Sequence, residues 1–297
     1  MKSKRTILLT GATGFLGSNL LGTLTADGYD IMVLARRSSD LSRLKAPPGK
    51  LRVVYAEDCD YEALFRESRI DAVVHCATNY GRRMDFPVSV LEANLMLPLK
   101  LLQIGQASGL KCFLNTDTIL DKRVNYYSLS KSQFRDWLKL YSGKLACVNV
   151  SLEHFYGPDD DDSKFVTWAV QALINGSPKL ELTPGYQKRD FIYIDDVCGA
   201  FSAVLRNCLL KGSGFYSYEV GSGEPVTIRD FVALIKRLAR NEATALDFGA
   251  IPYRENEVME HATDLSGVMA LGWRPKVSLR DGLARTVEFE TRRRGDK

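Results

Sequence analysis

The stretch Thr6-Ile-Leu-Leu-Thr10, followed by Gly11-Ala-Thr-Gly14-Phe-Leu-Gly17, constrains this chain more than any other. An apolar, β-prone run enters a turn with three glycines, and a helix-forming stretch over 18–26 follows. Strand, tight turn and helix N-terminus in that order build a cradle for a diphosphate. Gly11 permits the turn, Gly14 lets the main chain approach the ligand, and Gly17 lets the helix pack close to the strand. Free N–H groups of the first helical turn then face the anion. The spacing is G-x-x-G-x-x-G rather than the G-x-G-x-x-G fingerprint, and a glycine turn with no ligand has the same letters. Its position between the first strand and the first helix favours a dinucleotide, with Gly11, Thr13, Gly14, Phe15, Leu16 and Gly17 as the cradle.

Apolar runs at 30–35, 51–55, 71–76, 111–115 and 145–150 read as further strands. Helical stretches at 61–67, 86–107 and from 125 onward alternate with them, which predicts an α/β fold with a doubly wound parallel sheet. In the long helix over 86–107, Pro98 should produce a kink, and Asn94 is placed to bond a backbone carbonyl behind the site. Beyond 150 the pattern loosens. Tyr156-Gly-Pro158 is a turn, and the acidic run 159–162 reads as a solvated loop capping a helix over 164–174, where the dipole favours negative charge. Residues 189–196 read as a strand entering a helix, and 227–240 and 279–290 as amphipathic helices. No repeat or low-complexity linker marks a boundary. The expected division is a dinucleotide-binding domain over 1–153 and a smaller domain over 154–297, interlaced, with parts of 188–240 returning to the first.

The end of the second strand bears on the cofactor. An acidic residue there takes the ribose hydroxyls of NAD, whereas this chain has Ala35, Arg36 and Arg37. Two guanidiniums can pair with a 2′-phosphate, which favours NADP(H); the alternative is two arginines on a solvent-facing loop. Glu57-Asp58-Cys59-Asp60 follows the third strand. Asp58, with Cys59 beside it, stands where a carboxylate can accept from the adenine amino group; Asp58 can equally cap the helix over 61–67. Ala77 and Thr78 end the fourth strand where cofactor lies in such sheets. His75 reads as a packed or backbone-bonded residue.

Tyr127 and Lys131 are four apart, hence on one helix face. A free tyrosine has a pKa of ~10 and is a poor acid or base at neutral pH. An ammonium one turn away stabilises the phenolate and can hold the nicotinamide ribose. A strand-end hydroxyl, Thr116, can share a substrate oxygen with the phenol. This set suits carbonyl/alcohol interconversion, with hydride exchanged with nicotinamide and tyrosine handling the proton. A surface tyrosine with a nearby lysine is the plain alternative.

Composition narrows the rest. With 297 residues the chain can form one large or two modest domains, and 45% hydrophobic with 26% charged residues is ordinary for a globular protein. A net charge of +4, dispersed along the chain, gives no reason to expect nucleic acid. Arg292, Arg293 and Arg294 read as a solvated tail. No apolar run is expected to approach the ~20 residues of a membrane span, and Lys2, Lys4 and Arg5 lead into a strand rather than a signal peptide. Six cysteines without C-x-x-C spacing read as core thiols of a reducing compartment, so a cytoplasmic location is expected. Three histidines and no Cys/His cluster argue against a metal.

Taken in order, Gly11 to Gly17, Asp58, Asn94, Thr116, Tyr127/Lys131, Tyr156-Gly-Pro158 and Arg189-Asp-Phe-Ile-Tyr193 resemble the extended short-chain dehydrogenase/reductases, the NAD-dependent epimerase/dehydratase type. The resemblance spans nearly the whole chain. It implies a Rossmann domain, a smaller C-terminal α/β domain for a nucleoside-diphosphate sugar, and homodimers paired through helices 86–107 and 126–142. A narrower resemblance, to the CDP-abequose synthase family, rests on Phe113-Leu-Asn-Thr-Asp117, Leu152-Glu-His-Phe-Tyr-Gly-Pro158, Phe248-Gly-Ala-Ile251 and Arg254-Glu-Asn-Glu-Val-Met259. That family implies reduction by NADPH of the 4-keto group of a CDP-4-ketohexose, with Tyr127 as proton donor, Lys131 tuning it and Thr116 orienting the ketone. Thr78, Asp117, Thr118, His154, Arg189 and Arg254 are the implied substrate contacts, the two arginines on the diphosphate.

The departures from the wider family are informative. Sugar-nucleotide dehydratases carry Thr-Asp-Glu where this chain has Thr116-Asp117-Thr118, so half of an acid/base pair is missing. His154 and Ser151 stand where many epimerases carry Asn and Arg. His154 either contacts the sugar or bonds within the core. The sequence therefore predicts an NADPH-dependent 4-ketoreductase of a CDP- or dTDP-4-keto-6-deoxyhexose. An NAD-dependent nucleotide-sugar 4-epimerase and a non-catalytic dinucleotide sensor are the alternatives.

Overall fold

In the computed structural model, which describes residues 5–47, 49–81, 86–255 and 257–295, the chain divides into two compact units. One comprises Met1–Leu152, Cys198–Glu219 and Ser266–Trp273; the other comprises Glu153–Val197, Val220–Leu265 and Arg274–Lys297.

The first unit alternates strands and helices: β1 (Thr6–Thr10), α1 (Phe15–Ala26), β2 (Asp30–Ala35), β3 (Leu51–Tyr55), α2 (Tyr61–Ser68), β4 (Ile70–His75), α3 (Pro87–Leu91), α4 (Leu97–Ala107), β5 (Cys112–Thr118), α5 (Tyr126–Tyr141) and β6 (Ala146–Leu152). In the second unit come β7 (His154–Tyr156), α6 (Phe165–Ile174), β8 (Lys179–Leu182), β9 (Lys188–Arg189) and β10 (Phe191–Tyr193). The chain then passes through α7 (Ile194–Cys208) to β11 (Gly214–Val220), which joins the first unit's sheet. β12 (Val226–Thr227), α8 (Ile228–Leu238) and β13 (Ala245–Phe248) return to the second unit, α9 (Ser266–Met269) to the first, and α10 (Leu279–Gly295) to the second.

The sheet has seven strands in the order β11-β6-β5-β4-β1-β2-β3. Every ladder from β3 across to β6 is parallel. Strands covered on both faces must be apolar almost throughout, and Ile7, Leu8, Leu9, Val73 and Val74 are all buried. Leu8, Val73 and Phe113 of the sheet pack with Leu101, Phe134 and Leu138 of the helices in one cluster. The strand order reverses beside β1, between β1 and β4, and the crevice at the carboxyl ends of such a switch point is where ligands bind in this architecture. The glycine turn leaves β1 there.

The long helix expected over 86–107 is interrupted. Glu92–Met96 forms a π-helical turn between α3 and α4. The cause is Pro98, which has no N–H and whose ring crowds the carbonyl of Asn94 four residues earlier. The 21-residue stretch Pro87–Ala107 has membrane-crossing length and apolarity, contrary to the expectation that no run would. Val90, Asn94, Leu101, Leu102 and Gly105 are buried within the protein, whereas Val88 and Met96 are exposed.

Two further expectations are corrected. The acidic run is only partly solvated: Asp160 is 3% exposed and pairs with Lys164 at 2.9 Å, and burial pushes its carboxyl up. Lys164 itself occupies the N-cap of α6, with no side-chain capping bond. The terminal arginines are not a tail, because α10 runs on to Gly295. Arg292 pairs with Glu288, Arg293 reaches Asp162 at 3.4 Å, and Arg294 donates to the Ile174 carbonyl at 2.7 Å, capping the end of α6. Cations belong at helix C-termini, where free carbonyls concentrate negative charge.

Candidate active site

The glycine cradle has the geometry its residues require. Gly11 sits at φ +69°, and a Cβ there would lie 2.5 Å from the Ala77 nitrogen. A Cβ at Gly17 would overlap the Gly11 carbonyl. Only glycines allow β1, the turn, α1 and the end of β4 to come this close. Gly14 is the N-cap of α1, so the helix begins at Phe15, three residues earlier than expected. It offers no side-chain cap, and no acidic residue stands in the first turn. A helix start with no side-chain cap and no acidic residue in its first turn suits a diphosphate. The Ala77 N–H donates to the Thr10 hydroxyl at 3.2 Å, which fixes the main chain beside Gly11. Thr10 also meets Nδ1 of His75 at 2.8 Å, so His75 is bonded to a side chain; burial holds it neutral.

The adenine side carries Arg36, Arg37, Asp58 and Cys59. The Arg37 guanidinium pairs with Asp58 and lies 5.1 Å from the Tyr55 ring centre, while the Arg37 main-chain N–H donates to Glu57 at 3.1 Å. Arg36 is exposed, and its guanidinium has no partner among the described residues. Asp58 does not cap α2; Asp60 does, accepting from Ala63 N–H at 3.0 Å. Cys59 is half-buried, and burial pushes its thiol up.

A capping box positions the reactive helix. The Asn125 side chain accepts from Ser128 N–H at 2.8 Å, while Asn125 N–H donates to the Ser128 hydroxyl at 3.3 Å. That fixes where α5 starts, placing Tyr127 in its first turn and Lys131 one turn on. Lys131 is fully buried, and its Nζ donates to the Thr116 carbonyl at 2.8 Å. Burial lowers its pKa to about 8, against the opposing pull of Asp117 and Cys76. The Thr116 hydroxyl donates to Cys76 Sγ at 3.3 Å. Sulfur is a weak acceptor, so this hydroxyl is held at little cost to turning toward another oxygen. Tyr127 is half-buried, with its ring centre 5.0 Å from that of Tyr80.

Asn94 ties these parts together. Its Nδ2 donates to the Asn79 carbonyl at 2.8 Å, as its placement predicted, and its Oδ1 accepts from Asn79 N–H at 2.8 Å. The same Nδ2 reaches the Ser130 hydroxyl at 3.0 Å, which in turn donates to the Tyr127 carbonyl at 2.8 Å. The loop carrying Ala77, Thr78 and Tyr80 is thereby bonded to the helix carrying Tyr127.

Among the expected substrate residues, Asp117 is engaged elsewhere. Its Oδ1 accepts from Thr118 N–H at 2.8 Å, and its Oδ2 from Asn149 at 2.9 Å, with Arg135 3.5 Å away. Both carboxylate oxygens are thus engaged within the protein, and the residue is only 2% exposed. The Thr118 hydroxyl accepts from Leu120 N–H at 3.2 Å.

The second unit holds His154, Arg189 and Arg254. Arg189 pairs with Glu257 and donates to the Val258 carbonyl at 2.7 Å, so the segment after Arg254 is bound to β9. Arg254 is exposed. His154 donates through Nδ1 to Glu153 at 3.2 Å, a bond within the protein. Sequence reasoning did not single out Cys76, Tyr80, Ser130, Glu153 or His261. None follows a spacing rule, and each is identified only by what it touches.

The chain belongs to the NAD dependent epimerase/dehydratase family, whose pattern matches residues 7–221. Over 298 aligned residues it is 29% identical to the CDP-abequose synthase of Salmonella typhimurium, covering 94% of this chain and 96% of the other. The CDP-abequose synthase of Salmonella muenchen is 30% identical, with 96% and 97% covered. Among solved structures, the UDP-glucose 4-epimerase of Thermus thermophilus in complex with NAD matches with a TM-score of 0.79 at 24% identity, covering 96% of this chain and 98% of that one. The Rossmann-type α/β fold is thus shared with that enzyme.

Proposed function

We propose that this chain is an NADPH-dependent 4-ketoreductase of a nucleoside-diphosphate 4-keto-6-deoxyhexose, with CDP or dTDP as the nucleotide. The observation that carries the reading is Lys131: a buried ammonium one turn from Tyr127, held against the main chain of Thr116. A structural lysine would be placed where its charge is solvated; this one is desolvated, one helical turn from the phenol it can tune. NADPH, when bound at the glycine cradle, supplies the hydride. Tyr127 gives its proton to the C4 oxygen, Lys131 stabilises the phenolate left behind, and the Thr116 hydroxyl turns from Cys76 to orient the ketone. The two CDP-abequose synthases at 29% and 30% identity support the nucleotide-sugar assignment.

Arg36 is the phosphate-facing candidate for NADPH, since Arg37 is paired with Asp58. Thr78, Asp117, Thr118, His154, Arg189 and Arg254 remain the proposed substrate contacts. We read the molecule as a cytoplasmic homodimer. Val88, Met96, Tyr126, Leu129, Trp137 and Leu140 are apolar, exposed, and lie on or beside the two long helices; Leu140 is 76% exposed. Such a patch is what a subunit contact covers.

The test is loss of NADPH absorbance with CDP- and dTDP-4-keto-6-deoxyhexoses. One NADPH should disappear per ketone, and Tyr127→Phe should abolish the loss. An undiminished Tyr127→Phe enzyme overturns the reading. Turnover with tightly retained NAD and no added cofactor would instead favour a 4-epimerase, the activity named for the Mycolicibacterium smegmatis relative at 27% identity.

A further inference from the structure

Glu153 opens the second unit, and it is buried, 4% exposed. A buried carboxylate must be paired or hydrogen-bonded. Its Oε1 accepts from Nδ1 of His261 at 2.9 Å and from the Thr263 hydroxyl at 2.7 Å, and its Oε2 accepts from Nδ1 of His154 at 3.2 Å. Burial alone would push this carboxyl up. The bonds from His154, Thr263 and His261 outweigh it and hold it below its ordinary value.

Two of the chain's three histidines therefore share one carboxylate. They come from separate segments. His154 begins β7 and is paired with Phe191 of β10. His261 follows Met259, whose carbonyl accepts the Lys188 N–H at 2.7 Å. An ionised carboxylate only accepts, so each neutral ring must carry its proton on Nδ1. Each Nε2 is then a bare lone pair. Both side chains keep 37% of their surface accessible, and neither Nε2 is buried or partnered among the described residues. His75 is the contrast: its Nε2 is sealed in the core. An aliphatic residue at 153 would fill the same space without the cost of desolvating a charge. Only a carboxylate fixes the tautomer of both rings.

We propose that Glu153 is a positioning residue that locks His154 and His261 as Nδ1–H imidazoles, so that their two Nε2 atoms accept hydrogen bonds from hydroxyl groups of the sugar in a nucleoside-diphosphate sugar. The assignment rests on the second unit being the substrate-binding part of the enzyme proposed above. Hydroxyls are chosen over phosphates on charge. A lone pair at Nε2, with a carboxylate behind the ring, attracts O–H and repels a phosphate oxygen.

NMR of the histidine ring nitrogens in the full chain, near neutral pH, reads this without turnover. His154 and His261, assigned with His154→Gln and His261→Gln, should each show a protonated Nδ1 and a bare Nε2. Both Nε2 signals should move when CDP-glucose, dTDP-glucose or UDP-glucose binds, and should stay when CDP, dTDP or UDP alone binds. In Glu153→Gln at least one ring should change tautomer. The affinity for the nucleotide sugar should fall about fivefold, as expected for losing a hydrogen bond between neutral groups, while affinities for the free nucleotide and NADPH hold. Glu153→Asp should restore the tautomer at least in part.

A protonated Nε2 in the wild type, movement with free nucleotide, no movement with any of the three sugars, or undiminished sugar affinity in Glu153→Gln would each overturn the proposal. Should Glu153→Gln not fold, the wild-type spectra and Thr263→Val decide. Failure to reduce any ketosugar with the NMR results intact would overturn the reductase assignment and leave the Glu153 arrangement standing.

Discussion

The ammonium of Lys131 donates to the main-chain carbonyl of Thr116 at 2.8 Å from a fully buried position. One bond to a neutral carbonyl is poor compensation for a desolvated charge. The site therefore holds a group that folding would rather neutralise, as its pKa of about 8 records. Replacing it should separate stability from activity. Lys131→Met should raise the melting temperature while lowering kcat by about 100-fold or more. Calorimetry and NADPH turnover on the same preparation check both halves.

The same ammonium sets a pH dependence. Its folded pKa, about 8, lies below the ordinary lysine value of 10.5. Between these values the unfolded chain binds the proton and the folded one has lost it, so this group's contribution makes stability rise with pH across that window. Below the window both states are protonated and the full cost of the buried charge remains. Activity runs the other way: kcat/KM should fall above pH about 8 as the phenolate loses its partner. Denaturant titrations and rates between neutrality and the upper end of the window should show the two limbs crossing. Lys131→Met should lack this contribution to stability.

Asn94 spans both main-chain groups of Asn79 and reaches Ser130. Asn94→Ala strands the buried groups it satisfies and should cost about 2–4 kcal/mol. Denaturant unfolding measures the loss. Cofactor affinity should fall with it, because the loop after β4 loses its tie to α5.

Arg37 is already neutralised by Asp58, and Arg36 is not. Arg36→Ala should weaken NADPH by about tenfold or more, the worth of a charge-assisted bond, and leave NADH nearly unchanged. Asp58→Ala removes the proposed adenine contact, common to both cofactors, but releases Arg37, so it should raise the affinity for NADPH relative to NADH. Fluorescence titration with both cofactors distinguishes the two. Equal loss of NADH and NADPH in Arg36→Ala would remove the basis for NADPH preference.

Much of the fold was legible because its signals are local. β2 and β3 fall at the expected residues, and β1 meets its turn at Gly11, since buried parallel strands are short apolar runs ended by turn residues. The placement of Tyr127 and Lys131 one turn apart on α5 was legible from helical spacing, and the Asn94 bond to a carbonyl from its place on the helix. What sequence could not show was which polar groups would be buried. Asp160, Glu153 and Asp117 have the composition of surface residues, and partners both near and far in sequence make their burial tolerable: Lys164 for Asp160, His154 and His261 for Glu153, Thr118 and Asn149 for Asp117. His261 illustrates the limit: it lies 108 residues from Glu153, and no spacing links them. The continuation of α10 through three arginines was missed for the same reason, since Asp162 and the end of α6 are far away in sequence.

The π turn at Glu92–Met96 gives the helix one more residue than an ordinary α-helical path would hold. Asn94 lies inside it, where the loop after β4 is anchored. Deleting Ala93 would let the helix close up into an ordinary α-helical path, keeping α3 and α4 in phase but abolishing the wide turn that carries Asn94. Asn94 and Asn79 would then fall out of step although neither had been changed. Chain length, as much as residue identity, is therefore inherited information at this point, and a homologue one residue shorter here must anchor its loop by other means.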